Sequence, residues 1–290
     1  MLLSMGSAKP RLVLLGPNGM LGHALQRACT FAEITPLSHA DLDITNQASV
    51  LSTLTALQPD MIVNAAAYTK VDDCETNTAV ANRVNGEAVG YLAQAAKQLN
   101  ATFVHYSTDY VFSGHQATGY HETDQPDVPV NAYGHSKLLG ERRMLELVDE
   151  TWNRYYLIRT AWLFGPYGNN FVDTMLKLAN TTSELKVVND QYGSPTYSQD
   201  LATATADLLS QQADYGVYHL TNSGTCTWYE FACEIFKQTG QIVNVTPCTS
   251  AEFPRPAQRP MYSILVNTKC SPLPSWQQAL ATYLAGKGAS

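Results

Sequence analysis

Residues 11–22, RLVLLGPNGMLG, constrain this chain more than any other stretch. A short apolar run that stops at glycine suits a buried strand, and the HALQRAC that follows has a helical pattern. Gly16, Gly19 and Gly22 space the turn between them as G-x-x-G-x-x-G. Strand, glycine turn and helix open a βαβ unit. Glycines here let the chain turn tightly and bring backbone N–H groups to a pyrophosphate, with the helix N-terminus adding a favourable dipole. The spacing differs from G-x-G-x-x-G, and alone it suits a ligand-free turn as well.

Residues 60–67, 101–106 and 155–160 read as further buried strands, with helices over 78–100 and 132–148 between them. This alternation predicts an α/β fold with a Rossmann-type doubly wound parallel sheet. After Trp162 the pattern loosens into helices at 169–180, 199–211 and 227–239, the last capped by Thr225 or Thr227. Short strands are expected at 185–189 and 216–221, and 247–260, with four prolines, reads as loop. We expect residues 11–164, with 193–216 crossing back, to form an NAD(P)-binding body. Residues 165–192 and 217–286 would form a smaller mixed α/β substrate lobe. Residues 1–10, MLLSMGSAKP, lack the basic region and apolar run of a signal peptide and read as a flexible leader, or as preceding a start at Met5.

The charge narrows the partners. Lys and Arg number 18 against 25 Asp and Glu, a net −7. A nucleic-acid binder needs a basic footprint that this balance does not supply, although a small anionic ligand needs only a few cations. No apolar run reaches the ~18–20 residues of a membrane span. Cys29, Cys74, Cys226, Cys233, Cys248 and Cys270 form no C-x-x-C pair. A chain of this size needs no disulfide framework, so the reading is reduced and cytoplasmic.

Tyr133 and Lys137 lie four apart in a helical stretch and share a face. A phenol with a pKa near ~10 is a poor acid at neutral pH, and a neighbouring ammonium lowers that value. Thr108 follows the strand 101–106, where its hydroxyl can orient a carbonyl; a turn residue is the plainer role. Glycine turn, threonine and Y-x-x-x-K in this order describe hydride transfer. A nicotinamide supplies the hydride while the protein supplies orientation and a proton. The second strand, ending near 34–39, offers Ser38 and His39 and no carboxylate, which leans towards NADPH over NADH. Asp41-Leu42-Asp43-Ile44 suits an adenine loop, and the small residues of Asn64-Ala65-Ala66-Ala67 allow a cofactor close to the backbone.

The segments GPNGMLG, DLDITN, PDMIVNAAAYTKVDDCE, YSTDYVFSG, NAYGHSKLLGE, IRTAWLFG, NNFV, NDQYGSPT and RPMYSILVN span most of the chain. With them the chain resembles the extended short-chain dehydrogenases/reductases, and more closely the dTDP-4-dehydrorhamnose reductases. The resemblance implies catalytic roles for Thr108, Tyr133 and Lys137. It implies cofactor contacts at Gly16, Asn18, Gly19, Met20, Leu21, Asp43, Ile44, Ala65, Ala66, Tyr68, Lys137 and Thr160. Asp109, Val111 and Trp162 would meet the sugar, with Asn170, Gln191 and Arg259 as further substrate contacts. Trp162 suits a packed core as well, and Arg259 a solvated loop. Some members of that family dimerise through Mg2+ held by glutamates; here Ala24 and Gln199 stand at those positions, a poor oxygen set for Mg2+. No metal is therefore expected, and the chain would be a monomer or a homodimer of another kind. The implied reaction is NAD(P)H-dependent reduction of dTDP-4-dehydro-β-L-rhamnose at C4. A related sugar-nucleotide reductase or epimerase, an NADP-binding regulator of methionine adenosyltransferase and a dinucleotide-binding redox sensor are the other readings.

Overall fold

In the computed structural model, which describes residues 8–288, Arg11–Leu15 (β1) runs into the glycine turn and then Met20–Ala28 (α1). There follow Glu33–Leu37 (β2), Gln47–Leu57 (α2), Met61–Asn64 (β3), Ala88–Gln98 (α3), Thr102–Thr108 (β4), Ala132–Leu145 (α4) and Tyr155–Thr160 (β5). Gly216–His219 (β6) completes a six-stranded sheet of order β6-β5-β4-β3-β1-β2, parallel throughout. The chain leaves β1 towards β2 and returns on the other side as β3, so a crevice opens at their carboxyl ends.

Period-two side chains bury both faces of the sheet. Leu12, Leu14, Val104 and Tyr156 pack against Leu21 and Leu25 of α1 and Leu201 and Leu209 of the helix Ser198–Ser210. Val13, Leu15, Phe103 and Leu157 pack against Val50, Leu54, Val89 and Leu92. A separate core gathers Phe164, Val172, Phe231, Ile235, Trp276 and Leu280. The helices Phe171–Ala179, Trp228–Thr239 and Trp276–Gly288 supply most of it.

Several expected elements change. The strand expected at 60–67 ends at Asn64, whose side chain accepts the Ala66 N–H at 3.1 Å and turns the backbone out of the sheet. The strand expected to end at His39 stops at Leu37. The single helix expected over 78–100 is broken: a π turn, Arg83–Glu87, separates Thr78–Asn82 from α3. The wider turn carries Asn85 inward, where it accepts the Tyr68 N–H at 2.8 Å and donates to the Tyr68 carbonyl at 2.9 Å and to Ser136 Oγ at 3.0 Å. Such turns are frequent at functional sites.

Pro247, expected in a loop, belongs to the strand Asn244–Cys248, paired with Glu184–Val188 in a two-stranded sheet. Edge positions tolerate a residue without an N–H. The expected boundary after residue 216 cuts through β6, which pairs with β5 from Gly216 to His219. Thr227, not Thr225, caps its helix, exchanging side-chain and backbone hydrogen bonds with Glu230. Of the expected leader, residues 1–7 lie outside the described residues, while the Pro10 carbonyl already accepts the Glu33 N–H at 2.8 Å.

Candidate active site

The glycine turn is built by close approach. Gly16 has φ +74°, and a Cβ there would sit 2.8 Å from Ala66 N. A Cβ on Gly22 would lie 2.1 Å from the Gly16 carbonyl, so α1 can start here only without a side chain. Gly19 is different: exposed, it precedes α1 with no side-chain cap, and a Cβ there would meet only the Gly16 carbonyl, at 3.6 Å. Its neighbourhood is open to an anion at the helix N-terminus. Asn18 is exposed beside it. Met20 lies against Gly165 and Gly168, and Leu21 is buried in the core.

A cavity of about 220 Å3 opens at the ends of β1 and β2, lined in part by Gly16, Ser38, His39, Asp43, Ile44 and Ala66. Four expected cofactor residues, Gly16, Asp43, Ile44 and Ala66, thus come together. The Asp43 carboxylate is occupied locally, accepting from Thr45 N at 2.9 Å and Thr45 Oγ1 at 2.8 Å. Ala65 follows β3, and Tyr68 is held by Asn85. Thr160 ends β5 opposite Thr108, and its hydroxyl is buried with no hydrogen-bond partner. An open helix N-terminus, a cavity at the switch point and an orphaned hydroxyl all fit an extended dinucleotide.

At the carboxyl end of β4, the Thr108 hydroxyl donates to Asp109 Oδ1 at 2.8 Å and accepts the Tyr110 N–H at 3.2 Å. Asp109 is buried and its Oδ2 lacks a hydrogen bond of good geometry. Burial pushes its carboxyl up to about 7, against the opposing pull of the Ser263 and Thr108 hydroxyls. Burial and the Asp109 charge raise the Tyr133 phenol, while the Thr108 hydroxyl acts on it in the opposite sense. Lys137 is buried on α4, donating to the Tyr106 carbonyl at 2.6 Å with Nζ 3.4 Å from His105 Nε2. Burial brings its amine down to about 8, although Glu141 raises it.

The expected substrate residues fall into three settings. Trp162, at φ +46°, stacks on Trp228 with ring centroids 3.5 Å apart and planes at 8°. A Cβ on Gly193 would come within 2.5 Å of that indole. Val111 is wholly buried with Phe112, Tyr120 and Leu138. Asn170 caps the helix Phe171–Ala179: it accepts from Asp173 N at 2.9 Å and donates to the Gly165 carbonyl at 2.9 Å.

Gln191 and Arg259 do share a cavity, about 650 Å3, with Phe253, Arg255 and Tyr262 among its walls. Gln191 accepts from Trp228 Nε1 at 3.1 Å and donates to Ser250 Oγ at 2.9 Å. Arg259 is not a solvated loop arginine. It donates to Asp72 Oδ1 at 2.6 Å, while Arg255 donates to Oδ2 at 2.6 Å. Burial raises the Asp72 carboxyl, but the two guanidinium groups outweigh it and bring it to about 2.

Sequence reasoning missed Asn85, Trp228 and Asp72, each of which holds an expected site residue in place. Their signals were side-chain types inside helical stretches, with nothing in the spacing to single them out. Among the described residues, no three His, Cys, Asp or Glu side chains gather as a metal site, and no helix is long and apolar enough to cross a membrane.

Known proteins resemble this chain over most of its length. The spore coat polysaccharide biosynthesis protein SpsK of Bacillus subtilis is 41% identical over 280 residues, covering 94% of this chain and 96% of its own length. A dTDP-4-dehydrorhamnose reductase of Burkholderia thailandensis is 38% identical over 292 residues, covering 93% and 96%. The crystal structure of dTDP-4-dehydrorhamnose reductase from Bacillus anthracis in complex with NADP superposes with a TM-score of 0.91 at 39% identity, covering 96% of this chain and 99% of that one. The family described as RmlD substrate binding domain matches residues 10–287, and the chain belongs to it.

Proposed function

We propose that this chain reduces the C4 keto group of dTDP-4-dehydro-β-L-rhamnose, giving dTDP-β-L-rhamnose, at the expense of NADPH. The observation that carries the reading is the Tyr133 phenol in reach of the Thr108 hydroxyl at the end of β4, with Lys137 bound to the Tyr106 carbonyl of the same strand and the free Thr160 hydroxyl on the strand alongside. Gly16, Asn18, Gly19, Met20 and Leu21 would hold the pyrophosphate side of the cofactor, and Asp43 and Ile44 the adenine. Ala65, Ala66, Tyr68, Lys137 and Thr160 would hold the nicotinamide side. Ser38 and His39, with no carboxylate ending β2, favour NADPH over NADH. When bound, the reduced nicotinamide supplies hydride to the C4 carbon.

The remaining work belongs to side chains. Thr108 turns its one hydroxyl proton from Asp109 Oδ1 to the C4 carbonyl oxygen and fixes that oxygen's distance from Tyr133. Tyr133 gives its phenolic proton to that oxygen as negative charge develops on it. A buried phenol with a raised pKa resists losing a proton, so the charge left on it needs a nearby cation, and Lys137 in its ammonium form supplies one. Asp109, Val111 and Trp162 would meet the sugar, with Asn170 near it. Gln191 and Arg259 would face the nucleotide diphosphate, to which arginine offers a forked donor.

The division into a cofactor body and a smaller substrate lobe belongs to this reading, supported by the separate core around Phe164, Phe231 and Trp276. Cytoplasmic placement rests on the cysteine usage, and a monomer or a homodimer without bridging metal on Ala24 and Gln199. Tyr133→Phe should lower turnover by ~10²-fold or more, the scale of general acid catalysis, with NADPH binding by fluorescence unchanged. Near-normal turnover in the folded variant would sink the assignment.

A further inference from the structure

Beneath the site lies a buried polar chain of which the reaction as described uses only Lys137. Asn64, His105 and Lys137 are 1%, 1% and 2% exposed. Asn64 Oδ1 accepts the Ala66 N–H at 3.1 Å, which orients the amide and leaves its NH2 facing His105 Nδ1 at 3.2 Å. An amide NH2 only donates, so Nδ1 is the bare nitrogen. The ring is neutral, because burial alone holds its pKa well below the ordinary value and a charge on Lys137 pushes it the same way. Its single proton therefore sits on Nε2, 3.4 Å from Lys137 Nζ.

A neutral amine can accept that proton's hydrogen bond; an ammonium, with no lone pair, cannot. Once Lys137 is charged, the favourable ring is the other tautomer, with Nε2 bare and Nδ1 protonated. Asn64 must then turn its carbonyl to Nδ1 and release the Ala66 N–H. Ala66 is the residue against which Gly16 packs. We propose that His105 and Asn64 are positioning residues that couple the charge of Lys137 to the Ala66 N–H under the glycine turn, with the His105 tautomer as the link. The change balances: one proton enters from solvent, Lys137 ends with it, and the ring is neutral before and after. The Ala66 donor is freed for a ligand in the state in which the lysine carries charge.

The groups facing Lys137 are few. His105 and the Tyr106 carbonyl come from β4, and Glu141 from its own helix, Glu141 being paired with Arg159 of β5. The coupling gives meaning to the catalytic lysine of the proposed reaction and rests on that reading, but its test does not.

Nitrogen-15 NMR of the imidazole rings in the full-length wild-type chain, free of ligand, reads the tautomer directly. Between about pH 6 and about pH 10, spanning the lysine's transition, the protonated-type shift should move from Nδ1 to Nε2 with a midpoint near the Lys137 value of about 8. In Lys137→Met the ring should stay protonated at Nε2 throughout. A wild-type ring that keeps one tautomer over the whole range overturns the coupling, and so does a switch that survives in Lys137→Met. Turnover of the same variant tests the catalytic reading separately: retained activity would sink that reading and leave the tautomer result standing.

Discussion

Asp109→Asn should make the protein more stable and less active, and the stability gain should depend on pH in a defined way. Asp109 is 3% exposed, and its carboxyl is held at about 7 against an ordinary value of 3.8. A pKa raised on folding means that the native state favours the protonated form. The associated stability is complete below the unfolded value and is lost as pH rises through the folded one. Three pKa units correspond to ~4 kcal/mol, so the wild type carries a penalty approaching ~4 kcal/mol at pH 8 and almost none near pH 4. Asparagine keeps an oxygen for the Thr108 hydroxyl, which donates to Oδ1 at 2.8 Å, and removes the charge. Urea unfolding of both proteins between about pH 4 and about pH 8 should give a stability difference that grows over that window, with most of the growth below pH 7. A difference independent of pH, or a variant less stable at pH 8, would refute the reasoning. Loss of turnover alongside the gain is what an ionisable group kept in a ligand site at a cost in stability should show.

Two further substitutions test the frame around the site. Gly22→Ala drives a Cβ to 2.1 Å from the Gly16 carbonyl, a backbone atom that cannot swing aside; NADPH affinity by fluorescence titration should fall at least ~10-fold, with ~1–3 kcal/mol of stability lost to overpacking. Arg159→Met strands Glu141, which accepts two hydrogen bonds from that guanidinium at 3.0 and 2.8 Å with both side chains nearly inaccessible; chemical denaturation should show a loss of ~3–5 kcal/mol, largely recovered by adding Glu141→Gln.

The parallel sheet was legible because its strands are nearly continuous apolar runs, and because RLVLLG, followed by a glycine turn, admits few alternatives. The side chains proposed for catalysis were legible because Y-x-x-x-K falls in a helical stretch and Thr108 at the end of a buried strand. The π turn at Arg83–Glu87 was not. Its cause is tertiary: Asn85 bonds to Tyr68 and Ser136, and a Cβ on Gly86 would come within 2.5 Å of the Leu139 side chain. The ion pairs of Asp72 with Arg255 and Arg259 bridge residues more than 180 positions apart. No local pattern marks such a contact. His105 looked like one more residue of a strand, and only the hydrogen bonds on both ring nitrogens set it apart.

The place of β6 in the sheet bears on how the chain acquires its fold during synthesis. Strands β1 to β5 are complete by Thr160, but the outer partner of β5 arrives only at Gly216, after the segment that carries Trp162, Asn170 and Gln191. Until then β5 presents an unpaired edge, a template for wrong pairing, and long-range parallel pairing is slow to form. The helix Ser198–Ser210, which covers Leu21 and Leu25, emerges just ahead of β6. A nascent chain halted before Gly216 therefore has its dinucleotide turn but neither a closed sheet nor a finished core. It should be held by chaperones and cut by proteases at a point where a chain only slightly longer is protected.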